Sequence, residues 1–83
     1  MLTYFVVQAY ARTRMGALAA QPPVQAQDEG HAMRLAARLG ETMAGVVAFC
    51  RRGDPGTGEY EDAEILAQYG EVPGLDALRS LAS

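Results

Sequence analysis

The sequence predicts an α+β fold: a small antiparallel or mixed sheet of three to four strands in β-β-α-β-β order, one main helix on one face, and a short carboxyl-terminal helix. Three observations carry this. Two extended runs, Leu2 to Ala11 and Ala44 to Arg52, are rich in β-branched and aromatic residues and are apolar on both alternating faces. Between them, Ala32, Leu35, Ala36 and Leu39 recur at helical spacing behind a capping residue. The 83 residues fit one small domain. At that size folding buries only roughly 60% of the extended chain's surface, so the core is thin.

The first strand places Phe5, Val7 and Ala9 on one face and Tyr4, Val6 and Tyr10 on the other. After Arg12-Thr13-Arg14 and Gly16, a weaker extended segment from Ala17 to Gln25 reads as the second strand. Pro22-Pro23 confines it to an edge, because neither residue can donate to a ladder. Asp28 is an N-cap with Glu29 in the first turn, and Gly40 gives the C-terminal signal of the helix. The third strand, Ala44 to Arg52, alternates Val46, Ala48 and Cys50 against Val47, Phe49 and Arg51, which makes it central. Residues 62–72 fit two readings: a short helix from Asp62 to Tyr69 closed by Gly70, or a fourth strand from Ile65 to Val72 paired back on the third. The strand is favoured. The domain is expected to span residues 1–73, followed by a short helix or tail over 74–83 that carries Leu75, Leu78 and Leu81 at helical spacing.

Gly45-Val46-Val47-Ala48-Phe49-Cys50-Arg51-Arg52-Gly53-Asp54-Pro55, with Thr57-Gly58-Glu59-Tyr60, Leu66-Ala67 and Gly70-Glu71-Val72-Pro73, resembles small uncharacterised single-domain proteins of proteobacterial genomes. The resemblance covers the central part of the chain and carries no catalytic residue with it. It implies a compact α+β domain in which Asp54 to Gly58 is a hairpin turn and Leu66 to Pro73 closes the sheet.

Charge changes sign along the chain. Up to Gly53, six arginines face Asp28, Glu29 and Glu41; from Asp54 onward, Arg79 faces seven carboxylates, and the total is −3. An isoelectric point near 4.9 disfavours general attraction to nucleic acid or anionic lipid. The amino-terminal run lacks a basic n-region and is broken by Gln8 and Arg12, so it resembles neither a signal peptide nor a membrane span. The single cysteine cannot close an internal disulfide, which makes a reducing cytoplasm the expected compartment.

No motif encodes a catalytic, cofactor or metal chemistry. Cys50 beside Arg51 and Arg52 has the ingredients of a low-pKa thiolate, but strand alternation makes a buried structural cysteine the better expectation. His31, the only histidine, stands in the first helical turn without an identifiable orienting partner. Asp54, Glu59, Glu61, Asp62 and Glu64 do not fit a calcium-loop spacing and read as a turn followed by a solvated face. Gly53, Gly56 and Gly58 lack the Lys-Ser or Lys-Thr of a phosphate loop.

Strands apolar on both faces, with one secure helix, leave one face short of cover. The expectation is therefore a non-enzymatic homodimeric module with a further, unidentified protein partner. Its interface draws on Tyr4, Val6, Tyr10, Leu75, Leu78 and Leu81. The alternative is a small nucleic-acid-binding module using Arg12, Arg14, Arg51 and Arg52, with Tyr4, Phe5 and Tyr10 as stacking surfaces. Strands one and two are expected to form an antiparallel hairpin, and the helix returns the chain so that strand three runs parallel to strand two and antiparallel to strand one. Arg12 and Arg14 then fall at the opposite end of the sheet from Arg51 and Arg52, which counts against that alternative.

Overall fold

A computed structural model describes residues 2–73. The helix or tail expected over 74–83, with Leu75, Leu78 and Leu81, lies outside the described residues. Chain order is β1 (Leu2–Arg12), β2 (Leu18–Ala20), β3 (Val24–Ala26), α1 (Glu29–Leu39), β4 (Gly45–Asp54), β5 (Glu59–Tyr60) and β6 (Glu64–Gly70).

All six strands join one sheet in which every pairing is antiparallel. The long strands β1 and β4 form its centre, in register from Leu2 opposite Gly53 to Tyr10 opposite Gly45. Both β2 and β3 pair with the outer side of β1, and both β5 and β6 with the outer side of β4. The sheet is thus four ribbons wide but holds six strands, which corrects the expected three to four. The Ala17 to Gln25 segment divides at Gln21-Pro22-Pro23, where two consecutive residues have no N–H to give. A two-residue strand, Glu59–Tyr60, adds a pairing that is too short to show as a periodic pattern.

Of the two readings of residues 62–72, the strand is the one formed, over Glu64–Gly70 instead of Ile65 to Val72, and its register against β4 shifts between Ala48 and Phe49. Leu66 is the extra residue of this bulge. The turn between β4 and β5 is the expected hairpin: Asp54 Oδ1 accepts from Gly56 N at 2.8 Å, Asp54 O accepts from Gly58 N at 2.8 Å, and Gly58 takes φ +77°.

Helix α1 starts as its sequence dictates. Asp28 is extended, and its Oδ1 accepts from His31 N at 2.7 Å. Gly40 ends the helix in right-handed geometry, at φ −61°. A Cβ there would lie 3.1 Å from Tyr69, so close packing against β6 is what the glycine provides. The helix lays Ala32 and Ala36, both 0% exposed, onto Val7, Ala9, Ala26, Val46 and Ala48, with Leu35, Leu39 and Met43 around them. Small side chains at the contact let helix and sheet approach closely, and each buried valine contributes about 2 kcal/mol.

Candidate functional site

Cross-strand register sorts the helix-free face into rows. Val6, Phe49 and Ile65 lie side by side across β1, β4 and β6 and are half-buried. Beyond them run Gln8, Val47 and Gln68, then Tyr10, Gly45 and Gly70. Val47 is 0% and Tyr10 8% exposed, whereas Tyr4 and Val6 are half-buried. Of the expected interface residues, Tyr10 is therefore part of the core, and Tyr4 and Val6 retain accessible surface. Among the described residues, no helix packs on this face.

Next to that apolar row, Tyr4, Arg51 and Tyr60 gather at one end of the sheet. The Arg51 guanidinium carbon lies 4.4 Å from the Tyr60 ring centroid, within cation–π range, and the Tyr4 and Tyr60 centroids are 6.3 Å apart. Gly53 makes room for this group. Opposite Tyr60 in register, it has no side chain, and a Cβ there would stand 1.9 Å from Tyr60 Cδ1. The Nε of Arg51 is shielded from solvent and finds no acceptor among the described residues. Tyr60 is not among the candidates that the sequence offers; its one trace there is Gly53, which follows Arg51-Arg52 and stands opposite Tyr60 without a side chain.

The four candidate arginines do not converge. Tyr4 opposes Arg51 in register, and Arg12 lies eight residues further along β1, so Arg12 and Arg51 stand about 27 Å apart along the strands. Arg12 forms an exposed ion pair with Glu71 and donates to Gly16 O at 2.6 Å. Arg14 is exposed in the turn after β1. Arg52 is exposed on the opposite face from Arg51.

Cys50 and Arg52 border a shallow cleft of about 280 Å³ with Glu61, Asp62 and Glu64. Cys50 is half-buried instead of buried, because it lies one row beyond the valine and alanine rows that α1 covers, opposite Phe5 and Glu64. Partial burial pushes its thiol pKa up, and the Glu64 carboxylate, whose Oε2 is 3.9 Å from Sγ, pushes it the same way. Arg52 opposes this with a smaller effect. The less favoured reading, a thiolate stabilised by the arginine pair, is opposed by this geometry: alternation sends Arg51 to the other face, and pairing brings a carboxylate alongside. The ring of His31 accepts from Gln27 N through Nδ1 at 3.0 Å, which ties it to the helix start.

Among the described residues, no three His, Cys, Asp or Glu side chains are placed to hold a metal ion, and no helix is long and apolar enough to cross a membrane. Comparison with protein-family models, with curated proteins and with solved structures finds no match.

Proposed function

We propose that this chain is a non-enzymatic, self-associating interaction module of the cytoplasm, and that its first partner is a second copy of itself. The observation that carries this reading is the inequality of the two sheet edges. On the β1 side, the edge consists of two three-residue strands interrupted by Pro22 and Pro23. On the β4 side, β6 offers seven residues without proline or a basic side chain, and among the described residues no strand pairs its outer side. A chain with one open and one blocked edge pairs open edge to open edge and stops at two. Head-to-tail pairing, which would grow a filament, needs both edges. Half-buried Tyr4, Val6, Phe49 and Ile65 add accessible apolar surface on the adjoining helix-free face, as expected of a contact region.

The chemistry of the remaining candidates supports a non-catalytic role. Cys50 favours its neutral form, and His31 is engaged at the helix start. The likeness to small proteobacterial domains adds no activity to this reading. Sedimentation equilibrium of the full chain at micromolar concentration is the direct test. A mass twice the 8.9 kDa of one chain is expected, and a monomer throughout would overturn the proposal.

One observation favours a second reading, a nucleic-acid-binding module: Arg51 stacked on Tyr60 beside Tyr4 has the composition of a base-stacking platform. The reading needs Arg12, Arg14 and Arg52 as well, and these are dispersed over two ends and two faces. Fluorescence anisotropy with single-stranded RNA at low salt decides it. Binding abolished by Arg51→Ala supports the platform, and no binding ends the reading.

A further inference from the structure

We infer that two copies of this chain join through antiparallel pairing of their β6 strands, with Gln68 on the two-fold axis. This rests on the self-association reading above and specifies its geometry. The backbone of β6 fixes which groups face outward. Glu71 N donates to Ala44 O at 2.9 Å, and Gly70 is opposite Gly45, Tyr69 opposite Val46 and Gln68 opposite Val47. In an antiparallel ladder the residues of a hydrogen-bonded pair turn both N–H and C=O toward the partner strand, and the pairs alternate. Glu71, Tyr69 and Ala67 therefore point their backbone groups at β4, while Gln68 and Gly70 point theirs away from it.

Those outward groups need a partner strand or water. The bulge at Leu66 interrupts regular pairing on its N-terminal side, and Gly70 closes the strand at φ +66°, so the regular stretch is centred on Gln68. A two-fold axis through Gln68 lets each copy donate its Gln68 N–H to the Gln68 C=O of the other. The same axis sets Ala67 opposite Tyr69 of the second copy. This pairs a small residue with a ring that is 39% exposed in the single chain. Leu66 then faces Gly70 of the other copy. The centre of the contact is uncharged: Glu64 lies beyond the bulge, and Glu71, just past the other end, is already paired with Arg12. Parallel pairing in register would instead bring the two Glu64 carboxylates side by side. The antiparallel arrangement separates them to opposite ends.

Charge placed on the axis tests this. Gln68 is exposed, so Gln68→Lys and Gln68→Glu leave the fold intact, which circular dichroism verifies. In each variant alone, like charges meet across the axis, and the dimer dissociation constant is expected to rise about 100-fold. Mixing the two variants puts Lys opposite Glu and restores a dimer of wild-type affinity. Wild-type dimers combined with variants that dimerise just as tightly would overturn the β6 pairing while leaving self-association standing, through the helix-free face instead. A wild-type monomer would overturn both. The register has its own check in the double variant Cys50→Ser, Gln68→Cys, which mild oxidation by diamide should convert to a disulfide-linked dimer. Failure to cross-link, in a variant that still sediments as a dimer, would remove Gln68 from the axis.

Discussion

The two faces of the sheet reach burial by different means. Under α1, Val7, Ala9, Val46 and Ala48 are sealed by Ala32 and Ala36, and most of these side chains are within 1% of full burial. On the other face, Val47 is equally hidden, but Tyr4, Val6, Phe49 and Ile65 are only half so. The first face is shielded by close approach of small residues from a second layer. The second has no helix over it among the described residues. The contrast teaches that apolar content alone does not set burial, since the row Val6, Phe49 and Ile65 is as apolar as the row beneath the helix. The helix accounts for the sealed rows beneath it, whereas Val47 is sealed with no helix over it among the described residues.

This contrast can be broken most sharply at the helix contact. Ala36→Leu forces extra volume between helix and sheet and is expected to destabilise by about 3 kcal/mol in urea unfolding. A tolerated leucine would show that the two layers are loosely fitted. Valine truncation compares the faces directly. Val46→Ala is expected to cost about 2 kcal/mol, and Val6→Ala about 1 kcal/mol. Equal losses would erase the distinction between them.

The cap that holds the covering helix in place comes next. Asp28→Ala removes the acceptor for His31 N and is expected to cost about 1 kcal/mol. Amide exchange should quicken in α1 first, before the β1 and β4 pairing. Exchange that quickens everywhere at once would mean that helix and sheet open as one unit.

The smallest effect belongs where the helix cover ends. With burial and Glu64 both raising its pKa, Cys50 should be alkylated more slowly than a free thiol near pH 8. Glu64→Gln removes the carboxylate and should speed alkylation a few-fold, about 3-fold at that pH. An unchanged rate would assign the protection to burial alone.

Local chemistry made much of this architecture readable. The Asp28 cap, the Ala32 to Leu39 spacing and the Asp54 to Gly58 turn each depend on residues a few positions apart, and each appears where its pattern predicts. The division of the second strand was half legible: two prolines announced an edge, but pairing resumed after them because Val24, Gln25 and Ala26 still had Val7, Val6 and Phe5 to join. Cys50 was misjudged for a similar reason. Alternation placed it correctly on the helix side, yet how far the helix reaches along the strand is not a local property. The Tyr4, Arg51 and Tyr60 group links residues more than fifty positions apart and had only Gly53 as its sequence trace.

By itself the sequence determined that the two long central segments extend, where the helix begins and which edge proline closes, because backbone dihedrals and hydrogen-bond donors are properties of the residues themselves. Only the tertiary structure decided which carboxylate meets the thiol, which ring receives Arg51, and that β6 turns Gln68 and Gly70 outward. Those outcomes follow from strand register, in which a shift of one residue exchanges the two faces, and register is fixed by the whole sheet packing at once.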